Sequence, residues 1–266
     1  MSGIGTGYDL SPTTYSPDGK VFQSEYAQKA VDSGSTVVGL KVKDGVVMGV
    51  EKLIVSKLLV EGSNRRIFNV DRHAGMAVAG LAPDGRVIVN RGIDEAANYK
   101  RFYGDNIPAL MLAERVATFM HLFNLYWSFS VGWHSVGGTV WDGTVKMGWH
   151  SVGSEVWAAQ CSGTGCARST RAGAALGKGQ HAGLAVDAAR NEIEKLKLSE
   201  MTARQAVIEV AKILHRVHDE DGKPFDIEIS WVCEESGREH QRVPQDLMAE
   251  ATQAAKAALA ESDMED

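Results

Sequence analysis

The chain has 266 residues, of which 44% are hydrophobic and 23% are charged, so it can bury a substantial core in one large domain. Its formal net charge is -6 at pH 7 and it has no basic cluster, which excludes a surface built to neutralise nucleic-acid phosphates and makes proteins the expected partners. The chain has only three cysteines, which predicts a reducing compartment. It has no bilayer-spanning stretch, and its Gly-, Ser- and Thr-rich residues 1–15 show no signal-peptide pattern. We therefore expect a protein of the cytoplasm and nucleus that is not on a membrane.

The first half of the chain predicts one helix, four strands and then two helices. Pro17 and Gly19 favour a tight turn, and the residues after it carry apolar side chains at helical spacing. Lys43-Asp44-Gly45 predicts a hairpin turn between two strands. The last helix of this half is apolar around most of its circumference, so it is expected to be buried on most sides. The predicted elements are helix 20–32, strands 36–42, 46–50, 67–70 and 75–79, and helices 86–102 and 107–127.

The second half predicts three helices and one strand. Thr202 and Gln205 form a capping box that opens a helix, whose expected buried face is Val207, Val210, Ala211, Leu214 and Val217. Residues 225–233 alternate apolar and polar side chains, which predicts a half-buried strand. The other elements are helices 179–196 and 244–260 and an acidic, disordered end at 261–266. This order is typical of an α+β fold, with two antiparallel sheets packed together and helices on the outer faces.

Three N-terminal motifs carry a resemblance to a known family. They are Gly5-Thr6-Gly7-Tyr8-Asp9, the run from Tyr15 to Gln23, and Glu25-Tyr26-Ala27. Together they resemble the signature of proteasome alpha subunits almost position by position; Ser24 stands where the family usually carries an aliphatic residue. The resemblance continues at 34–36, 43–47, 61–64, 68–71 and 79–81 and from 175–179 to the end of the chain. The segment 62–73, the phrase 191–196 and the acidic end most resemble the type three alpha subunits of eukaryotes.

The resemblance implies a four-layer alpha-beta-beta-alpha sandwich of the N-terminal nucleophile hydrolase type over residues 16–250. A gate segment, residues 1–15, precedes it, and a helix end with an acidic tail, residues 251–266, follows. The implied role is that of a non-catalytic subunit in the outer, hetero-heptameric ring of the core particle, in ubiquitin-dependent protein degradation, without a cofactor or metal. The implied partners are other alpha subunits, beta-ring subunits and an activator or regulatory particle.

Four residues match the family's gate cluster: Tyr8, Asp9, Pro17 and Tyr26. Two tyrosines, a carboxylate and a rigid proline turn can hold an N-terminal segment in a defined open arrangement. Taken singly, these residues would be a turn proline and core tyrosines. As one motif, they imply a gate.

Peptidases of this fold use an N-terminal threonine with a free amine, tuned by a nearby lysine and aspartate. By resemblance, Ser35, Arg66 and Glu51 occupy these three positions. Arginine stays protonated near neutral pH, and the residues before Ser35 are needed for the helix and the gate. We therefore expect no catalytic residue. The alternatives are a self-processing serine-type hydrolase that uses Ser35, and a free-standing regulatory protein that is a stable monomer.

Arg66 also matches the position of a lysine that, in the family, pairs with the terminal carboxylate of an activator tail. The other side of that pocket resembles Gly80 and Leu81. An arginine would bind a carboxylate through two parallel hydrogen bonds. The alternative is that Arg66 is a surface charge beside Arg65.

Residues 128–174 depart from the family pattern. The run 132–137 recurs at 148–153, and four tryptophans are evenly spaced: Trp133, Trp141, Trp149 and Trp157. A zinc hypothesis rests on His134, His150, Cys161 and Cys166, but their spacing disfavours it. No polar pattern supports carbohydrate or aromatic-ligand binding by the tryptophans. We favour a reading-frame error, which predicts ordinary family strands with poorly fitting side chains, over a lineage-specific replacement of two strands.

Ser262 is followed by Asp263 and Glu265, a pattern that acidophilic kinases favour. It resembles the phosphorylated tail of the type three alpha subunits. A phosphate there would add charge and could create a handle for arginines of a regulatory particle. The alternative is a solvated, unmodified tail.

Overall fold

The computed structural model contains ten strands and four long helices in the part of the chain that it describes. That part comprises residues 7–11, 13–23, 25–26, 35–54, 56, 58–60, 62–80, 82–126, 136–137, 140–142, 145–146, 156–160, 189, 192–218 and 224–262. The elements are β1 Val37–Lys41, β2 Gly45–Leu53, β3 Ile67–Asp71, β4 Ala74–Gly80, α1 Ala82–Tyr103, α2 Ala109–Tyr126, β5 Val136–Gly137, β6 Val140–Asp142, β7 Val145–Lys146, β8 Val156–Gln160, α3 Ala203–Val217, β9 Phe225–Cys233, β10 Gln241–Arg242 and α4 Gln245–Ser262.

The first sheet has the strand order β1-β2-β9-β10 and is antiparallel throughout. Its two central strands, β2 and β9, pair along their whole length, from Gly45 opposite Cys233 to Leu53 opposite Phe225. Gly45 allows this close approach, because an added Cβ would lie 2.2 Å from the Val232 carbonyl oxygen. The sheet therefore joins residues that are far apart in the sequence.

The second sheet has the order β3-β4-β8-β6-β7, with β5 paired to β4. The hairpin of β3 and β4 is antiparallel and irregular between Asn69 and Asp71. β8 pairs with β4 in antiparallel fashion, and β6 pairs with β8 in parallel. Four strands of this sheet, β5 to β8, come from the segment that departs from the family pattern.

Helices cover one face of each sheet, and the other two faces meet. α3 contacts β1, β2 and β9 and packs on α4, while α1 contacts β3 and β4 and packs on α2. The apolar cluster between the sheets is formed by Val37, Val46, Met48, Val50 and Val232 from the first sheet and Ile67 and Ala77 from the second. Two further clusters lie beneath the helix pairs. Alternate residues of β4 explain the layering, since Ala77 faces the first sheet and Met76 faces the helices.

Most predicted elements are confirmed. β1 to β4, β9 and all four long helices lie on predicted segments, and the predicted buried face of α3 is buried. Within the predicted helices 20–32 and 179–196, residues 22–23, 25–26, 189 and 192–195 are helical, residues 20, 21 and 196 are not, and the other residues fall outside the described part. Gly92 weakens the helical pattern of α1 but brings the helix close to the sheet: an added Cβ would lie 3.1 Å from Met76 Cε.

Two predictions about burial are wrong. β9 is buried continuously from Ile227 to Cys233 instead of on one face, because α3 covers one face and the second sheet covers the other. α2 is not buried on most sides: outside its polar residues, Met111 is 37% exposed and Leu110 and Phe119 are only partly buried, because the sheet and α1 cover only part of the helix.

Two helix ends differ from the predicted bounds. α1 begins at Ala82, four residues before its predicted start, and Pro83 fits there because it lacks only an N–H that the first helical turn leaves unbonded. α4 continues to Ser262, so two residues of the predicted acidic end belong to this helix. Among the described helices, none has the length together with the apolar character that crossing a bilayer needs.

Two side chains cap the first turn of α3. The Thr202 hydroxyl accepts from the Gln205 N–H, and the Gln205 side chain accepts from the Thr202 N–H. Asp44, in the turn between β1 and β2, accepts from the Ala203 N–H at 2.8 Å. The helix start is thereby tied to the first hairpin. The capping box predicted from the sequence is confirmed.

Removing either cap is expected to lower the free energy of unfolding by about 1 kcal/mol, because an N–H at the helix start loses its acceptor. Thr202→Ala and Asp44→Ala test this by urea denaturation of the isolated chain. Ser199→Ala, at an exposed residue just before the helix, is the control and should leave the midpoint unchanged. Equal midpoints for all three variants would contradict the prediction.

Residues 128–174 are described only as the backbones of β5 to β8. The zinc hypothesis and Trp133 and Trp149 fall on residues outside the described part of the chain. The reading-frame interpretation depends on how side chains fit there, so it stays a prediction.

Candidate functional site

The turn that follows the gate segment is closed by hydrogen bonds around Ser16. The Ser16 N–H donates to the Lys20 carbonyl at 2.8 Å, the Ser16 carbonyl accepts from the Gly19 N–H at 2.9 Å, and the hydroxyl accepts from the Lys20 N–H at 3.0 Å. Gly19 has φ of 76°, where any other residue would be strained. Pro17 therefore lies at the exposed corner of a fixed turn.

The four predicted gate residues lie around this turn. Tyr8 is 43% exposed and Tyr26 is 40% exposed, Pro17 is exposed and Asp9 is partly buried. The Tyr26 ring stacks on Phe22 with centroids 6.4 Å apart. Within the described residues, no hydrogen bond or ion pair joins the side chains of the four. The isolated chain does not assemble the cluster, so the gate assignment stays a prediction.

One side chain that the sequence analysis did not single out connects the gate segment to the residues after the turn. The Gln23 amide Nε2 donates to the Asp9 carbonyl oxygen, 14 residues earlier. Gln23 belongs to the motif that carries the family resemblance, but the motif alone does not show which side chain reaches back.

Two of the three predicted pocket residues lie at the same end of the β3–β4 hairpin. The Val78 N–H donates to the Arg66 carbonyl at 2.8 Å, and Gly80 follows in the same strand, paired with Val136 of β5. Leu81 is outside the described residues. The structure thus places Arg66 close to Gly80 along the backbone and leaves the pocket itself a prediction.

Glu228 supports Arg66 from between the sheets. Its side chain is 7% exposed; Oε2 accepts from the Arg66 backbone N–H at 3.1 Å and Oε1 accepts from Arg242 Nη2 at 2.6 Å. Burial, and then repulsion from Arg86, lower the pKa of Arg66, which still stays protonated at neutral pH. The sequence analysis missed Glu228, because an acidic residue in an alternating strand was interpreted as facing solvent.

A second buried polar group between the sheets is centred on His240, which is 4% exposed. Its Nδ1–H donates to Asn69 Oδ1 at 2.7 Å, and its Nε2 accepts from the Ser230 hydroxyl at 2.9 Å. The Asn69 amide donates to the His240 carbonyl at 3.4 Å, which turns its oxygen towards the ring. The ring lies against Gly75, where an added Cβ would be 2.3 Å from Nε2. Burial lowers the pKa of His240 to about 4, so the ring is neutral at pH 7.

The three positions of the alternative hydrolase do not form a catalytic set. Ser35 is buried, at 4% exposure. The Glu51 carboxylate is occupied, since it accepts from His218 Nδ1–H at 2.7 Å and from the Thr36 N–H at 3.4 Å. Among the described contacts, none joins Ser35 to Glu51 or Arg66 by a hydrogen bond. A hydroxyl nucleophile needs an activating base within reach, so this geometry does not favour the hydrolase.

A family model described as a proteasome subunit matches residues 31–232. The chain belongs to the proteasome subunit family. A second model, the N-terminal signature of proteasome A subunits, matches residues 8–30, which include all four predicted gate residues. This second match supports an alpha-type subunit.

Similar proteins agree with this result over nearly the whole chain. The chain is 55% identical to the proteasome subunit alpha type-3 of Arabidopsis thaliana and 54% identical to that of Spinacia oleracea, with 99% of each chain covered in both cases. It is 41% identical to the probable proteasome subunit alpha type-7 of Saccharomyces cerevisiae, over 94% of this chain and 83% of the yeast protein. The resemblance to type three alpha subunits is confirmed.

Ser35→Ala is expected to leave peptide hydrolysis by core particles that contain this proteasome subunit unchanged, because Ser35 is buried and no described hydrogen bond joins its side chain to a base. Hydrolysis of short fluorogenic peptides by purified particles measures this. Intact-mass measurement of the subunit should also show no cleavage before Ser35. A lower rate of peptide hydrolysis in the variant would support the hydrolase instead. So would a cleavage before Ser35 that occurs in the unchanged subunit and is lost in the variant.

Ser262, the last described residue, ends α4. Asp263 and Glu265 are outside the described part of this subunit. Phosphorylation of Ser262 stays a prediction.

Proposed function

We propose that this alpha-type subunit is a non-catalytic member of the outer ring of the proteasome core particle, in ubiquitin-dependent protein degradation. The observation that carries the proposal is the match of residues 8–30 to the N-terminal signature of the A subunits, within a chain that aligns with alpha subunits over 99% of its length. The two facing sheets with outer helix pairs support the four-layer sandwich of the N-terminal nucleophile hydrolase type as its fold.

The proposed partners are neighbouring alpha subunits in a hetero-heptameric ring, beta-ring subunits, and an activator or regulatory particle. Exposed apolar side chains support burial against other subunits: Leu58 is 93% exposed, Val60 76%, Phe102 78% and Tyr103 66%. Large apolar side chains this exposed, at 58–60 and at the end of α1, are expected where other subunits cover the surface. The proposed compartments are the cytoplasm and nucleus.

In the proposed mechanism, the gate segment blocks or frees the axial pore, and Tyr8, Asp9, Pro17 and Tyr26 fix its open arrangement. The closed turn at Ser16 supplies a fixed point for this function, because its hydrogen bonds hold the corner at which Pro17 lies. The chain itself performs no bond chemistry in this mechanism. It controls access to subunits that do.

Arg66 is proposed to bind the terminal carboxylate of an activator tail, in a pocket completed by Gly80 and Leu81. Its backbone is held by Glu228 on one side and by the strand partner Val78 on the other. Both bonds use the main chain of Arg66. A guanidinium can bind a carboxylate through two charge-assisted hydrogen bonds.

Arg66→Ala is expected to weaken activation by an activator about tenfold, because a hydrogen bond to a charged group is worth about 1.5 kcal/mol or more. The activator concentration that gives half-maximal peptide hydrolysis measures this. Arg65→Ala is the matched control, at an exposed neighbouring arginine. Equal effects of the two variants would show that Arg66 is one surface charge among others.

The proposal as a whole is tested by co-purification. The full chain is expressed in the organism it comes from, with an affinity tag after its C-terminal residue. Purification through the tag should recover alpha and beta subunits in fixed proportions, with peptidase activity. Recovery of the chain alone, as a stable monomer, would contradict the proposal and favour a free-standing regulatory protein.

A further inference from the structure

Among the residues that the structure describes, one side-chain hydrogen bond connects residues 7–11 of the gate segment to the chain beyond the turn. The Gln23 amide donates to the Asp9 carbonyl oxygen. The other described backbone hydrogen bonds of this stretch are local: Ser11 accepts from the Thr14 N–H at its carbonyl and from the Thr13 N–H at its hydroxyl, both at 3.3 Å. Within the described residues, no second hydrogen bond links 7–11 to the chain after the turn.

Apolar contact contributes little to holding this stretch. Tyr8 is 43% exposed, Leu10 is 76% exposed and Tyr15 is 68% exposed. A single hydrogen bond is worth about 1 kcal/mol net. With so little burial, that bond is a large share of what fixes the position of Asp9.

Gln23 is itself on a well-defined piece of chain. The Ser16 turn bonds Lys20 on both its N–H and its carbonyl, and Lys20 forms an ion pair with Glu25 at 3.5 Å. Phe22 and Tyr26, which flank Gln23 in the sequence, stack their rings on each other. The donor that holds Asp9 therefore comes from the same element as Tyr26.

We propose that Gln23 is a positioning residue of the gate: its amide anchors the gate segment at the Asp9 carbonyl and thereby sets where Tyr8 and Asp9 lie when the gate rearranges. This inference rests on the proposed gate function. Gln23 acts only through Asp9, on the position of the segment. When the gate rearranges, the gate segment must either pivot at Asp9 or lose the hydrogen bond from Gln23.

Limited proteolysis of the isolated full chain by chymotrypsin tests the anchor. Gln23→Glu has nearly the same shape but replaces the donor with a carboxylate that repels the Asp9 carbonyl, and Gln23→Met removes the donor without adding charge. Cleavage after Tyr8 and Leu10 is expected to be about two- to tenfold faster in both variants, because the protease needs the segment released from its anchor, while cleavage after Tyr103, at the exposed end of α1, is unchanged. Gln253→Glu, at an exposed amide on α4, is the control. Wild-type cleavage rates after Tyr8 and Leu10 in both Gln23 variants would overturn the anchor.

Peptide hydrolysis by assembled core particles tests the effect on the gate. The Gln23 variants should change the ratio of activator-stimulated to latent hydrolysis about two- to fivefold and leave incorporation of the chain unchanged. A merely structural role would lower incorporation and both rates together, and an unchanged ratio would remove Gln23 from gating. If the wild-type chain itself is absent from the particles, the proposed function fails, whereas the proteolysis measurement still decides the anchor.

Discussion

Lowering the pH from 7 to 4 is expected to reduce the free energy of unfolding by about 3 kcal/mol through His240 alone. Burial lowers the pKa of this histidine from 6.5 to about 4 in the folded chain. The unfolded chain therefore binds the proton more readily, and each pKa unit is worth about 1.4 kcal/mol. The stabilisation is fully present above pH 6.5 and is lost as the pH falls from 6.5 towards 4. Urea denaturation at a series of pH values measures it.

His240→Gln is the matched variant, because glutamine keeps hydrogen-bonding capacity near Asn69 and Ser230 but does not titrate. Its unfolding free energy should fall by about 3 kcal/mol less over the same pH range than that of the unchanged chain. His215 contributes in the same direction in both proteins, since burial, and then Lys256 and His218, lower its pKa. Identical pH profiles for the two proteins would show that His240 is not the buried group that titrates.

Leu214→Ala is expected to lower the free energy of unfolding by about 3 to 5 kcal/mol. The side chain is fully buried in the cluster beneath α3 and α4 and lies against β2, where an added Cβ on Gly49 would be 3.1 Å from its Cδ1. Truncation loses the burial of the removed atoms and leaves a cavity between two rigid elements. Because whole domains are stable by only about 5–15 kcal/mol, the loss should shift the urea midpoint strongly.

Leu58→Ala is the control for this truncation, because Leu58 is 93% exposed in the isolated chain. Its unfolding free energy should change by less than about 0.5 kcal/mol. Incorporation of Leu58→Ala into assembled particles is informative as well. If other subunits cover Leu58, this variant should lower incorporation strongly while leaving the stability of the isolated chain unchanged.

The local elements were predictable because their signals are local. The turn Lys43-Asp44-Gly45 gives a tight hairpin at the correct residues, and Thr202 with Gln205 gives the start of α3. Helical and strand periodicity then depend only on side chains a few positions apart. The same reasoning gave the buried face of α3 correctly.

The burial of β9 was not predictable from its alternation. A polar residue that faces solvent and a polar residue that is paired inside the protein produce the same pattern. Glu228 and Ser230 are of the second kind, since their partners Arg242 and His240 come from the chain beyond the strand. The pairing of β2 with β9 likewise depends on the whole fold.

The candidate site was predictable only in part and only through the family resemblance. The family resemblance predicted the positions of Arg66 and of the gate residues. Composition and residue spacing predicted neither position. The contact between Gln23 and Asp9 joins a side chain to a carbonyl, and any residue can supply a carbonyl. The residue type at the acceptor position therefore does not predict the bond.

The most direct test of the central claim is native mass spectrometry, with peptide mapping, of the endogenous assembly that contains this chain. We predict a core particle with this subunit in its outer ring, an uncut N-terminal segment and peptides that show the true sequence of residues 128–174. A processed monomer that begins at Ser35 would contradict the claim.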